Sequence, residues 1–191
     1  MRPMTSEKTD LSPNWLGALG ALVAQNEADA FAGQKLQSAD AALLSVFHFP
    51  GLSPTELASI LAVTVSGSVR LLNSLEARGL VVRTTGADAR SRSISLTAEG
   101  ERQARALGEA REQALSHLLE ALSASERDTF ARLTSRILAH APLAPDTARH
   151  VCRLCNHSEC DGPKCPVGSR VRATTGRAPR TGCARGQDGL R

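Results

Sequence analysis

Apolar residues recur along the first two-thirds of the chain mainly at helical spacing, with one short alternating interval. Ser12-Pro13 opens a helix to about Gly33, with Trp15, Leu19, Leu22 and Val23 on one face. Ser38 is placed to cap a second helix, ADAALLSVFHF, which Pro50-Gly51 ends. Ser53-Pro54-Thr55-Glu56 then has the form of a capping box: serine at the cap, proline at the first helical position, glutamate at the third. It predicts a short helix to about Ala62. Thr64 caps another that closes at Gly79. From Leu80 the period changes to two: LVVRT and RSISL read as strands around the turn-forming TGADARS. Thr97 caps a long helix to about Leu122, and Ser125 a last one carrying Phe130, Leu133 and Ile137 on one face, stopped by Pro142 and Pro145. Past Gly168 the chain is rich in Arg, Gly and Thr without periodicity, and disorder is expected there.

The fold class is therefore mainly α with a small β-hairpin. Two helices joined by a tight turn and followed by a hairpin make a winged helix-turn-helix, in which the first helix braces and the second enters a DNA major groove. Helical spacing directs Val65, Val69, Leu72 and Leu75 inward. The expected DNA contacts on this helix are Thr64, Ser66, Gly67, Ser68, Arg70, Asn73 and Ser74, short polar side chains with one guanidinium able to pair with guanine. At the hairpin tip, Arg90 and Arg92 suit a narrow minor groove, with Asp88 orienting Arg90.

These segments resemble the MarR family of bacterial transcriptional regulators. The resemblance rests on LEARGLV (Leu75 to Val81), Asp88-Ala89-Arg90 at the wing, ISLTAEG (Ile94 to Gly100) and the entry PGLSPTELA, and covers roughly Ser12 to Ala141. It implies a homodimer joined through the N-terminal helix and the two helices after the wing. It also implies a palindromic operator, usually repressed, and often a small-molecule effector. Arg70 and Arg90 match the family's arginines, whereas Val69 stands where many relatives carry Ser or Thr. Independently of the resemblance, Leu107, Ala110, Ala114, Leu118 and Leu122 form a stripe longer than one small domain covers.

Composition adds a second theme. Four of the five cysteines fall in Cys152-x2-Cys155-x4-Cys160-x4-Cys165, the spacing of a zinc knuckle with Cys where His is usual. Four thiolates suit a structural Zn²⁺, with His150 or His157 able to replace one. An iron–sulfur cluster or a metal-free thiol switch beside Arg149 and Arg153 are the alternatives. Cys183 stands apart and has no assigned role. The segment from Arg149 carries nine Lys+Arg against three Asp+Glu, and the rest 14 against 16, so the net +4 says little about the body's partner. A basic tail with a cysteine knuckle also admits an RNA or single-strand binder, but no aromatic residue follows Phe130 to stack a base. No catalytic triad, carboxylate pair or phosphate-cradling glycine loop stands out, so an enzyme is not expected. Nor is a membrane partner. The apolar run Leu16 to Ala24 follows Glu7 and Asp10 and leads into QNEADA, which favours a helix face over a signal segment and a cytoplasmic location. The expected organisation is a flexible arm (1–10), a winged-helix and dimerisation domain (11–142), a cysteine module (149–168) and a basic disordered tail (169–191).

Overall fold

The computed structural model describes residues 10–31, 38–85, 92–157, 159–160 and 164–175. Its elements run α1 (Ser12–Ala30), α2 (Ser38–His48), α3 (Pro54–Leu61), α4 (Val65–Ala77), β1 (Val81–Thr85), β2 (Arg92–Leu96), α5 (Ala98–Leu118), α6 (Ala124–His140), α7 (Pro145–Val151) and α8 (Pro166–Thr175), with a 3-10 turn at Leu119–Ala121.

Local chemistry fixes the boundaries. The capping box closes as its residues dictate: Glu56 N–H donates to Ser53 Oγ (3.2 Å), and Ser53 N–H donates back to the Glu56 carboxylate (3.0 Å). Ala62 ends α3 in the left-handed region (φ 55°), and its own N–H reaches back to the Ala58 and Ser59 carbonyls. Thr64 accepts from Gly67 N–H (3.1 Å) and starts α4. Gly79, at φ 70°, turns the chain out of that helix into β1. The strands pair antiparallel, Val81 opposite Leu96 and Thr85 opposite Arg92. Thr97 caps α5 through Gly100 N–H (3.0 Å) and also donates its hydroxyl to Gly79 O (2.7 Å), tying the hairpin's two ends together.

Leu43, Leu44, Leu57, Ile60, Leu72, Leu75, Leu80 and Ile94 are fully buried and draw α2, α3, α4 and the hairpin into one core. Leu154, far along the chain, joins it. The long helices lie outside: α1 and α6 bury no residue. A Glu27–Arg111 ion pair (2.6 Å), with both side chains largely covered, holds α1 to α5.

Four expectations change. The long helix ends at Leu118, where a 3-10 turn replaces its last residues. The next helix is capped by Ser123 rather than Ser125, because Glu126 sits three residues on and its carboxylate accepts from both the Ser123 N–H (2.9 Å) and hydroxyl (2.6 Å). Pro145 does not simply stop a helix; it occupies the first turn of α7, where its missing N–H costs nothing. The expected disorder past Gly168 gives way to α8 through Thr175, since Val167 and Val171 lie one turn apart and are both buried.

Candidate nucleic-acid interface and cysteine cluster

The short loop between α3 and α4 leaves the outer surface of α4 open. Thr64, Ser66, Arg70, Asn73 and Ser74 are exposed, as the reading of a groove-entering helix requires. Gly67 is half-buried, and a Cβ there would meet Thr64 Oγ1 at 3.1 Å, so its smallness serves the cap itself. Two placements are corrected. Ser68 does not face outward: it is wholly buried, its hydroxyl in contact with Pro54 O and Val65 O (both 2.8 Å), and it locks α4 onto α3. Conversely Val65 and Val69, expected inside, are 48% and 36% exposed. A serine whose hydroxyl is satisfied by nearby carbonyls can occupy the interior, and that turns both valines outward.

Sequence reasoning missed Arg83. From β1 it donates to Asn73 Oδ1 and lies 3.1 Å from the Glu76 carboxylate, so it braces the outer face of α4 against the wing. The available signal was its place two residues after the buried Val81, on the same side of the strand. Arg92 is paired with Thr85 through the backbone of β2. Asp88 and Arg90 lie outside the described residues.

Beyond α6 the chain folds back over this body. Helix α7 packs on α3, with His150 Nδ1 2.8 Å from Ile60 O and Arg149 3.6 Å from Glu56. Helix α8 packs on α6. Between them, none of Cys152, Cys155, Cys160 and Cys165 is in a disulfide. Cys155 N–H donates to Cys152 O (3.1 Å), and Cys152 and Cys160 pack on the small core around the buried Cys165. Neighbouring thiols and burial push Cys152 up from the ordinary thiol range. Cys155 is lowered to about 7 by the Cys152 side-chain hydrogen bond, which, with help from the nearby Arg111 charge, outweighs burial. Cys165 is buried and accepts from Gly168 N–H (3.1 Å) in the first turn of α8. His157, also buried, is 3.0 Å from Cys152 O through Nε2 and stacks on His48 with ring centres 4.4 Å apart. Among the described residues, no three or more His, Cys, Asp or Glu side chains are set where they could already hold a metal ion.

Residues 41–91 match the model of the MarR family. The structure of the Mycobacterium tuberculosis MarR family protein Rv2887 in complex with DNA is 25% identical, with a TM-score of 0.56 over 68% of this chain and 98% of that one. The same protein in complex with salicylic acid gives 27% identity and 0.53 over 69% and 98%. A MarR family protein from Bacillus stearothermophilus, 23% identical, shares the fold at a TM-score of 0.60 over 71% and 96%. No curated protein matches. Residues 41–91 belong to the MarR family. MarR family proteins are transcriptional regulators, and residues 41–91 carry that family's pattern.

Beside this core, α2, β2, α5 and residues 154–157 line an open cavity of about 1110 Å³. Phe47, Leu96 and Leu154 give it an apolar lining; Arg105, Arg111, His48 and His157 share the rest of the wall with Glu101, Glu109 and Glu112. The Arg105 guanidinium sits 5.3 Å from the Phe47 ring centre. These side chains come from distant parts of the sequence, and no local motif announces them. Among the described residues no single helix is long and apolar enough to cross a membrane.

Proposed function

We propose that the protein is a homodimeric, sequence-specific DNA-binding repressor that reads a palindromic operator and answers to a small effector. The observation that carries this reading is the outer face of α4. It combines exposed Thr64, Ser66, Arg70, Asn73 and Ser74 with an arginine from the wing strand fixing Asn73 from the side. A merely solvated helix needs no such brace. Asparagine held in one orientation suits a bidentate contact with adenine, and Arg70 one with guanine. The relative solved with DNA, Rv2887, supports the same use of the fold.

Dimerisation is supported by the apolar surface left on the outer helices. Trp15, Leu16 and Leu22 on α1 are 65%, 57% and 48% exposed, and Leu133 and Ile137 on α6 are 46% and 57% exposed. Apolar faces of this kind call for a partner, and a two-fold pairing would set two α4 helices about 34 Å apart on one side of a duplex. For the effector, the Phe47 ring and the Arg105 guanidinium beside it suit a small aromatic acid, the type found with Rv2887 in its salicylic acid complex.

The deciding experiment is selection from a random pool of duplex DNA, followed by binding of the selected sequence to wild-type and Arg70→Ala protein. An inverted repeat with half-sites one turn apart is expected, bound by a dimer in light scattering. Arg70→Ala should weaken it by about 1–3 kcal/mol without loss of thermal stability. No sequence enrichment, or equal binding by Arg70→Ala, would refute the proposal. Repression is then read from a reporter carrying the selected site, and effector response from release of that site by salicylate.

A further inference from the structure

The cysteine-bearing segment has too little apolar material to hold itself. Its core consists of Ala148, Cys165, Val167 and Val171, with Leu138, Leu143, Cys152 and Cys160 packed around them. Three of these eight side chains are thiols, and the helices they join, α7 and α8, span seven and ten residues. Segments this short and this poor in apolar bulk are ordinarily held by a cross-link or a metal ion.

The arrangement of the sulfurs distinguishes those two. Disulfides join sulfurs in pairs, whereas Cys152 and Cys160 both pack on the small core around Cys165, and the turn that brings Cys155 N–H to Cys152 O (3.1 Å) sets a fourth cysteine beside them. Sulfurs about 2.3 Å from a tetrahedral Zn²⁺ stand about 3.8 Å from one another, the separation of thiols in contact. The cysteines are gathered in one place without yet converging on a point, and a metal ion would draw them together. The surrounding groups already suit thiolates. Gly168 N–H points at Cys165 Sγ, and a Cβ on Gly168 would come within 3.3 Å of that sulfur. His157, in contact with the Cys152 carbonyl, fixes the turn that presents the first two sulfurs.

We infer that Cys152, Cys155, Cys160 and Cys165 bind one Zn²⁺ as a closed tetrahedral site that fastens α7 and α8 to the winged-helix body. Binding replaces four S–H bonds by four S–Zn bonds and releases the thiol protons to solvent. Because all four positions are filled by sulfur, the ion has no open place for substrate; its work is mechanical. It secures the segment whose His150 touches α3 and whose Leu154 enters the main core. This inference does not depend on the DNA-binding reading.

The test uses the full chain purified under reducing conditions without chelator. Elemental analysis should find about one zinc per chain. Replacement by Co²⁺ should give the sulfur-to-metal charge-transfer absorption and intense visible bands of a tetrahedral thiolate site. Four thiols should react slowly with a thiol reagent until a chelator removes the metal. Cys183→Ser should keep the metal, whereas Cys155→Ser and Cys165→Ser should lose it or bind it far more weakly. The cobalt spectrum and thiol counts are read on unmutated protein, so a variant that fails to fold does not blunt the test. Metal-free protein whose mass is lower by two hydrogens per cysteine pair would overturn the inference in favour of disulfides. Iron with acid-labile sulfide would overturn it in favour of a cluster. Four thiols equally reactive before and after chelation would overturn it outright.

Discussion

Gly100→Ala isolates one close contact on which the wing depends. Gly100 is buried in the first turn of α5, where the helix runs against the backbone of Leu80. A Cβ built there falls 1.9 Å from the Leu80 carbonyl oxygen and 2.9 Å from its carbon. Reaching the 3.4 Å of ordinary contact requires a retreat of about 1.5 Å, and what stands in the way is backbone, with no side chain to swing aside. The retreat would also pull on two hydrogen bonds, Thr97 N–H to Leu80 O (3.1 Å) and Thr97 hydroxyl to Gly79 O (2.7 Å). Overpacking costs about 1–3 kcal/mol, and each weakened hydrogen bond up to about 1 kcal/mol. Alanine's better helix propensity returns at most about 1 kcal/mol. With overpacking at its upper end, because the obstacle is backbone, the net loss is about 2–4 kcal/mol, or a fall in melting temperature of roughly 4–16 °C for a chain of this size. Thermal and urea unfolding of the variant measure it directly. Gly108→Ala is the control: that glycine also lies inside α5, but a Cβ meets nothing within 4 Å, so propensity should act alone and stability should rise by up to about 1 kcal/mol. An unchanged or raised melting temperature for Gly100→Ala would refute the reasoning.

Two further predictions follow from hydrogen bonds in the helix-turn-helix. Ser68→Ala removes the hydroxyl held between α3 and α4 and should cost about 1 kcal/mol in urea unfolding; a loss of base preference with unchanged stability would instead return Ser68 to the DNA surface. Glu56 ties stability to pH. Burial alone would raise its pKa, but the Ser53 N–H, the Ser53 hydroxyl and the Arg149 charge outweigh it and hold the carboxyl below the ordinary 4.5. Its contribution is therefore fully present above the unfolded value and lost as pH falls through the folded one. The stability gap between wild type and Glu56→Gln should narrow below about pH 4.5 in unfolding series at stepped pH, and a gap constant with pH would count against it.

Much of the fold was legible because its boundaries are set by neighbours in sequence. Ser53 with Glu56, Thr64 with Gly67, and Thr97 with Gly100 each settle a helix start within three residues, and all three are seen. The period of two after Leu80 likewise placed both strands. The errors arose where phase or distance mattered. Along α4, stripes through Val65 and Val69 or through Ser68, Leu72 and Leu75 have the same period. Only the Pro54 carbonyl, brought in from another helix, decides that the serine is inside. Ser125 and Ser123 differ in a single relation, the glutamate three residues beyond the true cap. Arg83 was unreadable as a brace, because its partners Asn73 and Glu76 come from the preceding helix. The ISLTAEG motif was recognised as a pattern, but the reason for its glycine, the Leu80 backbone, appears only in three dimensions. Cysteine spacing marked a cluster; it did not show that Cys152 and Cys160 pack on one small core around Cys165.

Leu154 has a consequence for how the chain comes to be folded. It fills a place in the core built by α2 to α5, beside a link between His150 and Ile60 that spans 90 residues of sequence. During synthesis from the N-terminus, α3 and α4 would leave the ribosome well before the side chain that completes their packing. Until then, part of their apolar interior has no cover. Final closure is therefore timed by the arrival of the cysteine segment, so that a nascent chain stalled shortly before residue 154 would carry a formed α4 on an unfinished core.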